Sequence, residues 1–173
     1  MYHLPSLKSL TLLLLILVLP GAFAKPAEPD AGPEVKTLAP TARQDSLDRT
    51  IADLLSQHHY RQSPLDDALS SLVLNAYLDS LDFSRSYFLA SDIASFEPYR
   101  HTLDDALKSG DLQPAYAIFN LYLRRLAERT AHIQQLLKQD FRFDVPESLD
   151  VDRKDAPWAK NPEELDDLWR KRL

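Results

Sequence analysis

The sequence has no cysteine and very little glycine. Without cysteine, a disulfide framework, a thiol nucleophile and a thiolate metal site are all excluded. The three glycines, Gly21, Gly32 and Gly110, lie far apart. Phosphate loops and dinucleotide-binding turns need several glycines close together so that the backbone can approach phosphate. The sequence therefore lacks the usual nucleotide-binding loops, and we expect no cofactor.

Basic residues are fewer than acidic ones. The sequence carries 20 Lys and Arg against 26 Asp and Glu, which gives a formal net charge of −6 at pH 7. Nucleic-acid binding takes most of its affinity from clustered Lys and Arg side chains that neutralise phosphates. We therefore expect no nucleic-acid partner.

The sequence has a single long apolar run, and it lies near the N-terminus. Leu10 to Leu19 follow a short start that carries Lys8, and Ala22-Phe23-Ala24 supplies the small residues that a signal peptidase requires. About ten apolar residues are too few to cross a bilayer core of roughly 30 Å as a helix. This length favours a cleaved secretory signal at residues 1–24 over an uncleaved membrane anchor, so we expect membrane contact only before cleavage.

The region after the signal divides into a linker and a domain. Residues 25–40 contain four prolines and few large apolar side chains. Because such a segment cannot bury enough apolar surface to fold, we predict a disordered linker. The chain of 173 residues then leaves residues 41–173 for one domain of common size.

From Thr41 onward, apolar residues recur at three- and four-residue steps, the period of amphipathic helices. We predict an all-α fold, an irregular bundle of about four to five helices. A partner-binding coiled coil is the alternative for the fourth and longest helix, but the short loops favour a bundle core. The apolar faces, helix by helix, consist of Leu47, Ile51, Leu54, Leu55 and His58; Leu65, Ala68, Leu69, Leu72, Val73, Ala76 and Leu81; Ile93, Phe96, Leu103, Ala106 and Leu107; Ala115, Phe119, Tyr122, Leu126, Ile133 and Leu137; and Leu165, Leu168 and Trp169.

Capping and breaking residues predict where the helices begin and end. Pro98 removes a backbone N–H, so we expect a kink or break of the third helix near Glu97. Gly110 lies in the stop position of that helix. The expected N-terminal caps are Ser63 followed by Pro64 and Asp66, Ser91, and Asn161 followed by Pro162 and Glu164.

A polar and aromatic segment, Asp82 to Asp92, separates the second and third helices. A substrate-binding role for its aromatic residues is the alternative, but buried aromatic side chains usually pack. We expect the polar side chains to bond the backbone of the turn and the apolar ones to enter the core. The former are Asp82, Ser84, Arg85 and Ser86, and the latter are Phe83, Tyr87, Phe88 and Leu89.

The segment Asp140 to Val145, DFRFDV, alternates apolar and polar residues like a short strand or extended arm. One strand cannot form a sheet alone. It either packs across the helices or pairs with a strand that this sequence does not contain.

No group of residues forms a recognisable reactive site. A serine nucleophile needs a base and oxyanion donors in a tight turn, and no serine here lies in a glycine-bearing turn of that kind. Asp150, Asp152 and Asp155 resemble half of a calcium loop, but its central glycine and distal glutamate are absent. His58 and His59 point about 100° apart on a helix and cannot share a metal ion. We predict no catalytic, cofactor-binding or metal-ligating residue. Three paired carboxylates are explained as solvated helix faces or first-turn charges, namely Asp66-Asp67, Asp104-Asp105 and Asp166-Asp167.

Three segments carry a resemblance to a known family. Their most specific parts, in chain order, are HYR, LDFSRSYFLASD and DRKDAPWAKNPEELDDLW. With them, the chain from about Arg49 onward resembles the N-terminal helical domain of the tail-specific, or carboxyl-terminal processing, proteases of the Gram-negative periplasm. The resemblance implies a periplasmic location, in agreement with the predicted secretory signal.

The resemblance also implies an activity that this sequence does not carry by itself. Members of the family are serine endopeptidases with a lysine as general base, and a PDZ module reads the apolar C-termini of their protein substrates. No position in this sequence matches the nucleophile or the base. For residues 41–173 the resemblance implies a noncatalytic scaffold that packs around the protease, helps to enclose substrate and offers a surface to adaptor proteins.

The last helix has a start signal but no stop signal before Leu173, so we expect the chain to hold part of a larger protein. Its apolar face of Leu165, Leu168 and Trp169 would then need a covering surface. A stand-alone periplasmic adaptor or competitor that binds a protease or its substrates is the alternative function. An autonomous enzyme is disfavoured because no nucleophile turn is present.

Overall fold

The computed structural model describes residues 35–58 and 64–173. Within these ranges the chain forms an irregular all-α bundle without a β-strand, and this confirms the predicted fold class. The predicted signal peptide and most of the predicted linker lie outside the described residues. None of the described helices has both the length and the hydropathy needed to cross a bilayer. The helices are α1 (Ala42–His58), α2 (Asp67–Asp82), α3 (Ala90–Phe96), a 3₁₀-helix (Glu97–Tyr99), α4 (Leu103–Ser109), α5 (Gln113–Leu136) and α6 (Pro162–Arg172).

Helix α2 begins later than its sequence signal indicates. Asp66 is the N-cap residue, and its carboxylate accepts a hydrogen bond of 3.0 Å from the Leu69 N–H. Pro64 and Leu65 precede the helix, and Ser63 lies outside the described residues. The predicted cap at Ser63 is therefore wrong, because the carboxylate expected inside the first turn is itself the cap.

The buried face of α2 differs from the predicted one. The buried residues are Ser70, Leu74, Leu78 and Asp82, which are spaced four apart. Leu72, placed on the predicted face, is 65% exposed. The prediction failed because two polar residues, which a hydrophobic pattern ignores, occupy the ends of the buried face. The other exposed members of the predicted face are Ala68 and Ala76.

The third predicted helix is divided as expected at its proline. Helix α3 ends at Phe96, and Pro98 lies within the 3₁₀-helix that follows, which confirms the predicted break near Glu97. The predicted cap at Ser91 is wrong. The N-cap is Leu89, whose backbone N–H donates to the Asp92 carboxylate at 2.9 Å.

Gly110 ends α4 in the left-handed conformation, with φ 72°, and this confirms the predicted stop. Its surroundings give a second reason for glycine at this position. A Cβ atom built on Gly110 would lie 2.5 Å from the backbone carbonyl oxygen of Asp45 and 2.8 Å from Cγ of Arg49. Glycine therefore allows α1 to lie directly against the end of α4.

The main core gathers around the ring of Phe88, which is fully buried. The rings of Phe96, Tyr122 and Trp158 surround it, with centroids 5.6, 5.9 and 5.9 Å away. Helix α5 contributes Ile118, also fully buried, to the same core. Ile118 was not among the residues predicted for the apolar face of α5, although that face is adjacent to it. The last predicted member of the face, Leu137, is 60% exposed and follows the end of the helix. The other buried residues of this core are Leu74, Leu78 and Leu103.

A second, smaller core joins α6 to the start of α3. The Asn161 side chain accepts a hydrogen bond of 2.9 Å from the Glu164 N–H, and this confirms the predicted cap. Leu165 and Leu168 are buried against Leu89 and Ala159. Two of the three predicted members of the apolar face of α6 are therefore covered by this chain itself, and Trp169 packs against the same cluster while partly buried.

Candidate interaction surface

The turn after α2 is organised by the buried carboxylate of Asp82, which is 2% exposed. It accepts hydrogen bonds from the backbone N–H groups of Ser86, Tyr87 and Phe88 at 2.7, 2.9 and 3.0 Å. This confirms the predicted role of Asp82 in the turn. The prediction that Phe83 enters the core is wrong, since it is 57% exposed. Neighbouring side chains on a helix project about 100° apart, so the burial of Asp82 directs Phe83 to the surface.

Ser86 connects this turn to α6. Trp169 donates its indole N–H to the Ser86 carbonyl at 2.7 Å, and an Arg172 guanidinium nitrogen donates to the Ser86 hydroxyl oxygen at 2.9 Å. The Tyr87 ring lies 5.7 Å from the Trp169 ring, centroid to centroid. Two segments that are far apart in sequence thus form one polar junction.

A second set of contacts joins the same turn to the loop before α6. Arg153 Nε donates to the Ser84 carbonyl at 3.2 Å. The Arg85 guanidinium carbon lies 4.1 Å from the centre of the Trp158 ring, within the range of a cation–π contact. Two of the segments that carry the family resemblance, LDFSRSYFLASD and DRKDAPWAKNPEELDDLW, are therefore packed together.

Two ion pairs attach α5 to its neighbours. Arg125 binds both carboxylate oxygens of Asp92 at 2.8 Å, a bidentate geometry that is among the stronger side-chain contacts. Hydrogen bonding to Asp92 raises the pKa of Arg125 further above its ordinary value. Arg129, itself buried, donates to Asp166 at 2.5 Å. These pairs fix α3, α5 and α6 relative to one another.

The acidic residues of the loop before α6 and of the aspartate pairs make contacts with other groups of the chain. Asp150 accepts a hydrogen bond of 3.1 Å from the Asp152 N–H in an exposed loop. In residues 35–58 and 64–173, no group of three or more His, Asp or Glu side chains is arranged to hold a metal ion. The paired aspartates are divided between roles. Asp66 caps α2, Asp104 binds Lys108 at 2.8 Å, and Asp167 binds Lys171 at 2.7 Å.

Helix α1 presents its apolar residues to solvent. Only Ala52 is buried on this helix. Helix α1 contacts the C-terminal end of α4, where an Arg49 guanidinium nitrogen donates to the Ser109 carbonyl at 3.0 Å. Apolar side chains grouped on an exposed face are typical of a contact surface for another protein. They are Leu47, Ile51, Leu54 and Leu55, which are 57%, 46%, 54% and 45% exposed.

A second exposed apolar feature is the segment 141–145, which we call the arm. Phe143 is 89% exposed and Val145 is 43% exposed. Between the arm and the end of α6 lies an open groove of about 500 Å³, lined by apolar residues and by charged residues of both signs, among them Glu147, Arg170 and Lys171. The alternation of the arm is visible in the sequence, but the groove is not, because the groove forms only when α6 folds back beside the arm.

Together these features define a class: a helical bundle domain whose buried charges support the structure and whose open apolar surfaces suit contact with other protein surfaces. Comparison with protein families then identifies the domain. Residues 51–173 match the family described as the tail specific protease N-terminal domain. The chain belongs to this family, which confirms the resemblance noted in the sequence.

A curated relative agrees with this assignment. The chain is 32% identical over 120 residues to a protein named "Tail-specific protease" from Haemophilus influenzae. The match covers 69% of this chain but 17% of the length of that relative. The chain therefore spans about a sixth of the relative.

Proposed function

We propose that residues 41–173 form the N-terminal scaffold domain of a periplasmic tail-specific serine endopeptidase, in which they help to enclose substrate and do not cleave it. The observation that carries this proposal is the family match over residues 51–173, together with the similarity to a named tail-specific protease. The rest of such a protein, which we call the protease body, would supply the serine, the lysine and the PDZ module.

The contacts of the domain support a scaffold role. The turn after α2, the loop before α6 and helix α6 are joined by the Ser86–Trp169 and Ser84–Arg153 hydrogen bonds. The Asp92–Arg125 and Arg129–Asp166 pairs add further cross-links. These contacts hold the turn after α2, α3, α5 and α6 at fixed positions relative to one another.

The environment of the serines supports a noncatalytic role. A serine nucleophile needs a base within hydrogen-bonding reach. In the described part of the chain, no hydrogen bond joins a serine hydroxyl to a lysine or histidine side chain. The most buried serine, Ser86, receives hydrogen bonds from Trp169 and Arg172 and lies at a structural junction.

The partners follow from the same proposal. Substrates would be proteins with apolar C-termini, bound by the PDZ module and cleaved by the protease body. An adaptor protein would find a suitable surface on the open face of α1, where four apolar side chains are exposed. The predicted secretory signal would deliver the protein to the periplasm.

The test combines the purified chain with the Haemophilus influenzae tail-specific protease from which the matched 120 residues are deleted. Binding is measured by calorimetry, and cleavage is measured on a reporter protein with an apolar C-terminus. We expect no cleavage by the chain alone, binding to the truncated protease, and recovery of cleavage in the mixture.

Two outcomes would contradict the proposal. Cleavage by the chain alone, abolished by a serine-directed reagent, would make it an autonomous enzyme. Inhibition of the intact Haemophilus protease, without recovery of the truncated one, would favour a stand-alone competitor. Substitution of Ile51→Glu with Leu54→Glu, against Ser56→Glu, an exposed residue about 140° from Ile51 around the helix, shows whether the apolar face contributes to binding.

A further inference from the structure

The arm has the side-chain arrangement of a β-strand, although it has no neighbouring strand. Arg142 and Asp144 form an ion pair at 2.8 Å. The rings of Phe141 and Phe143 stack with centroids 6.3 Å apart and an interplanar angle of 29°. Both contacts join residues two apart, so the apolar and the charged side chains occupy separate faces, as they do in extended chain.

The backbone of the arm is available for pairing. Among the described residues, no backbone–backbone hydrogen bond involves residues 141–145. A strand edge with free donors and acceptors is a template for another strand. Pro146 follows directly and has no N–H, so the pairing segment ends at Val145.

The groove beside the arm can receive side chains from a partner strand. Phe141, Phe143 and Val145 line it on one side, and Leu136 and Leu149 line it elsewhere. In peptide recognition by strand addition, main-chain hydrogen bonds give affinity and such pockets accept alternate side chains. The arm and the groove together therefore offer both parts of this binding mode.

We propose that residues 141–145 form the edge strand onto which a β-strand of the protease body is added. This inference rests on the proposed function. More than four fifths of the related protease lies outside the matched region, since the match covers 17% of its length. Within one protein the two strands meet at high effective concentration. Pairing of two copies through five residues would bury far less than the roughly 1,200 Å² of a stable interface.

The test uses the full 173-residue chain and, as the probe, the Haemophilus influenzae protease lacking its matched 120 residues. Amide hydrogen exchange of the chain is followed by NMR with and without the probe. In a strand, successive N–H groups point to opposite edges. We expect slowed exchange at alternate residues of 141–145, either the odd or the even set, with the other set unchanged.

The matched variants are Phe143→Ser and Val151→Ser, because Val151 is an apolar residue of similar exposure, 86%, outside the arm. We expect Phe143→Ser to weaken binding of the probe at least tenfold, and Val151→Ser to change it less than twofold. Both variants alter a surface side chain, so circular dichroism should show an unchanged fold.

The outcomes separate this inference from the proposed function. Binding of the probe without alternate protection in the arm, or with equal effects of the two variants, would overturn the strand pairing and leave the scaffold role intact. No binding of the probe at all would overturn both. If the alternate protection appears without the probe and increases with the concentration of the chain, the arm pairs with a second copy of the chain. That result would overturn the proposal that its partner is a strand of the protease body.

Discussion

The carboxyl group of Asp82 lies in a position that is only 2% exposed. Burial of a carboxylate is costly unless hydrogen bonds compensate for the lost hydration. Here three backbone N–H groups of the following turn provide that compensation. The carboxylate therefore specifies the path of the chain between α2 and α3.

Replacement of Asp82 by asparagine is expected to destabilise the domain. The amide group has one acceptor oxygen, so it leaves at least one buried backbone N–H of Ser86, Tyr87 or Phe88 without a partner. We expect the free energy of unfolding to fall by about 3 kcal/mol, measured by urea denaturation. Asp79→Asn is the control, since Asp79 is 44% exposed and pairs with Arg85 at the surface. Its loss should cost less than about 1 kcal/mol. Equal effects of the two substitutions would contradict this role of Asp82.

Other buried polar residues explain why the predicted faces were displaced. Ser70 is 1% exposed, and its burial is tolerated because its hydroxyl oxygen accepts a hydrogen bond of 2.9 Å from the Leu103 N–H. Asn120 is 9% exposed and binds the backbone of Leu38 through both its oxygen and its nitrogen, at 2.8 Å each. Leu38 belongs to the predicted linker, so this part of the linker lies against α5. Hydrophobic periodicity counts such residues as surface and cannot predict their burial.

At the scale of the element, helix α1 shows what periodicity can establish. The spacing of its apolar residues correctly predicted a helix with one apolar face. It did not predict that this face is open to solvent, with Leu47 57% exposed. The spacing is the same whether a face is covered by the same chain, by a partner or by water.

The attachment of α1 to α4 should depend on Gly110. Gly110→Ala forces an alanine into the left-handed region and brings its Cβ within 2.5 Å of the Asp45 carbonyl oxygen. We expect a loss of about 2–4 kcal/mol in the free energy of unfolding, and faster amide exchange in α1 than in α5.

Ser109→Ala is the matched control for Gly110→Ala. Ser109 is exposed and in a helical conformation, and its backbone carbonyl keeps the hydrogen bond from Arg49. We expect a change of about 0.5 kcal/mol or less. Unchanged exchange in α1 of the Gly110→Ala variant would show that the close approach of the two helices does not require glycine.

At the scale of the whole molecule, several carboxylates that accept hydrogen bonds from Lys or Arg make stability depend on pH in the same direction. The hydrogen bond from Lys108 lowers the pKa of Asp104 below its ordinary value of 3.8. Hydrogen bonds from Lys171 and Arg170 lower the pKa of Asp167, and a hydrogen bond from Arg100 lowers that of Glu97. At these three groups the folded domain therefore binds fewer protons in acid than the unfolded chain does.

The domain should therefore lose stability as the solution is made acidic. A lowered pKa in the folded state contributes stability that is complete above the unfolded pKa and is lost as pH falls through the folded pKa. We expect the free energy of unfolding, measured in urea, to be constant near pH 7 and to fall below about pH 4.

The variant Asp104→Asn tests whether Asp104 contributes to this loss of stability in acid. It should be less stable than the original chain at pH 7 and should show a smaller loss between pH 5 and pH 3, because Asp104 no longer titrates. Asp105→Asn is the control, since Asp105 is 76% exposed and lies 3.4 Å from Lys108. A pH dependence of the Asp104→Asn variant equal to that of the original chain would contradict the assignment.

The sequence by itself determined the features that depend on residues near one another in the chain. The all-α class, the cap at Asn161, the break at Pro98 and the left-handed stop at Gly110 were all predicted, because each depends on the conformational preferences of one residue and its immediate neighbours. The three short segments likewise identify the family from the sequence alone. Only the tertiary structure decided which faces are buried and which are open. Burial depends on contacts between residues far apart in sequence, and no local pattern contains those contacts. In this way the structure placed Ser70 and Asp82 inside, turned Phe83 outward, covered Leu165 and Leu168 with the start of α3, and left α1 and the arm exposed.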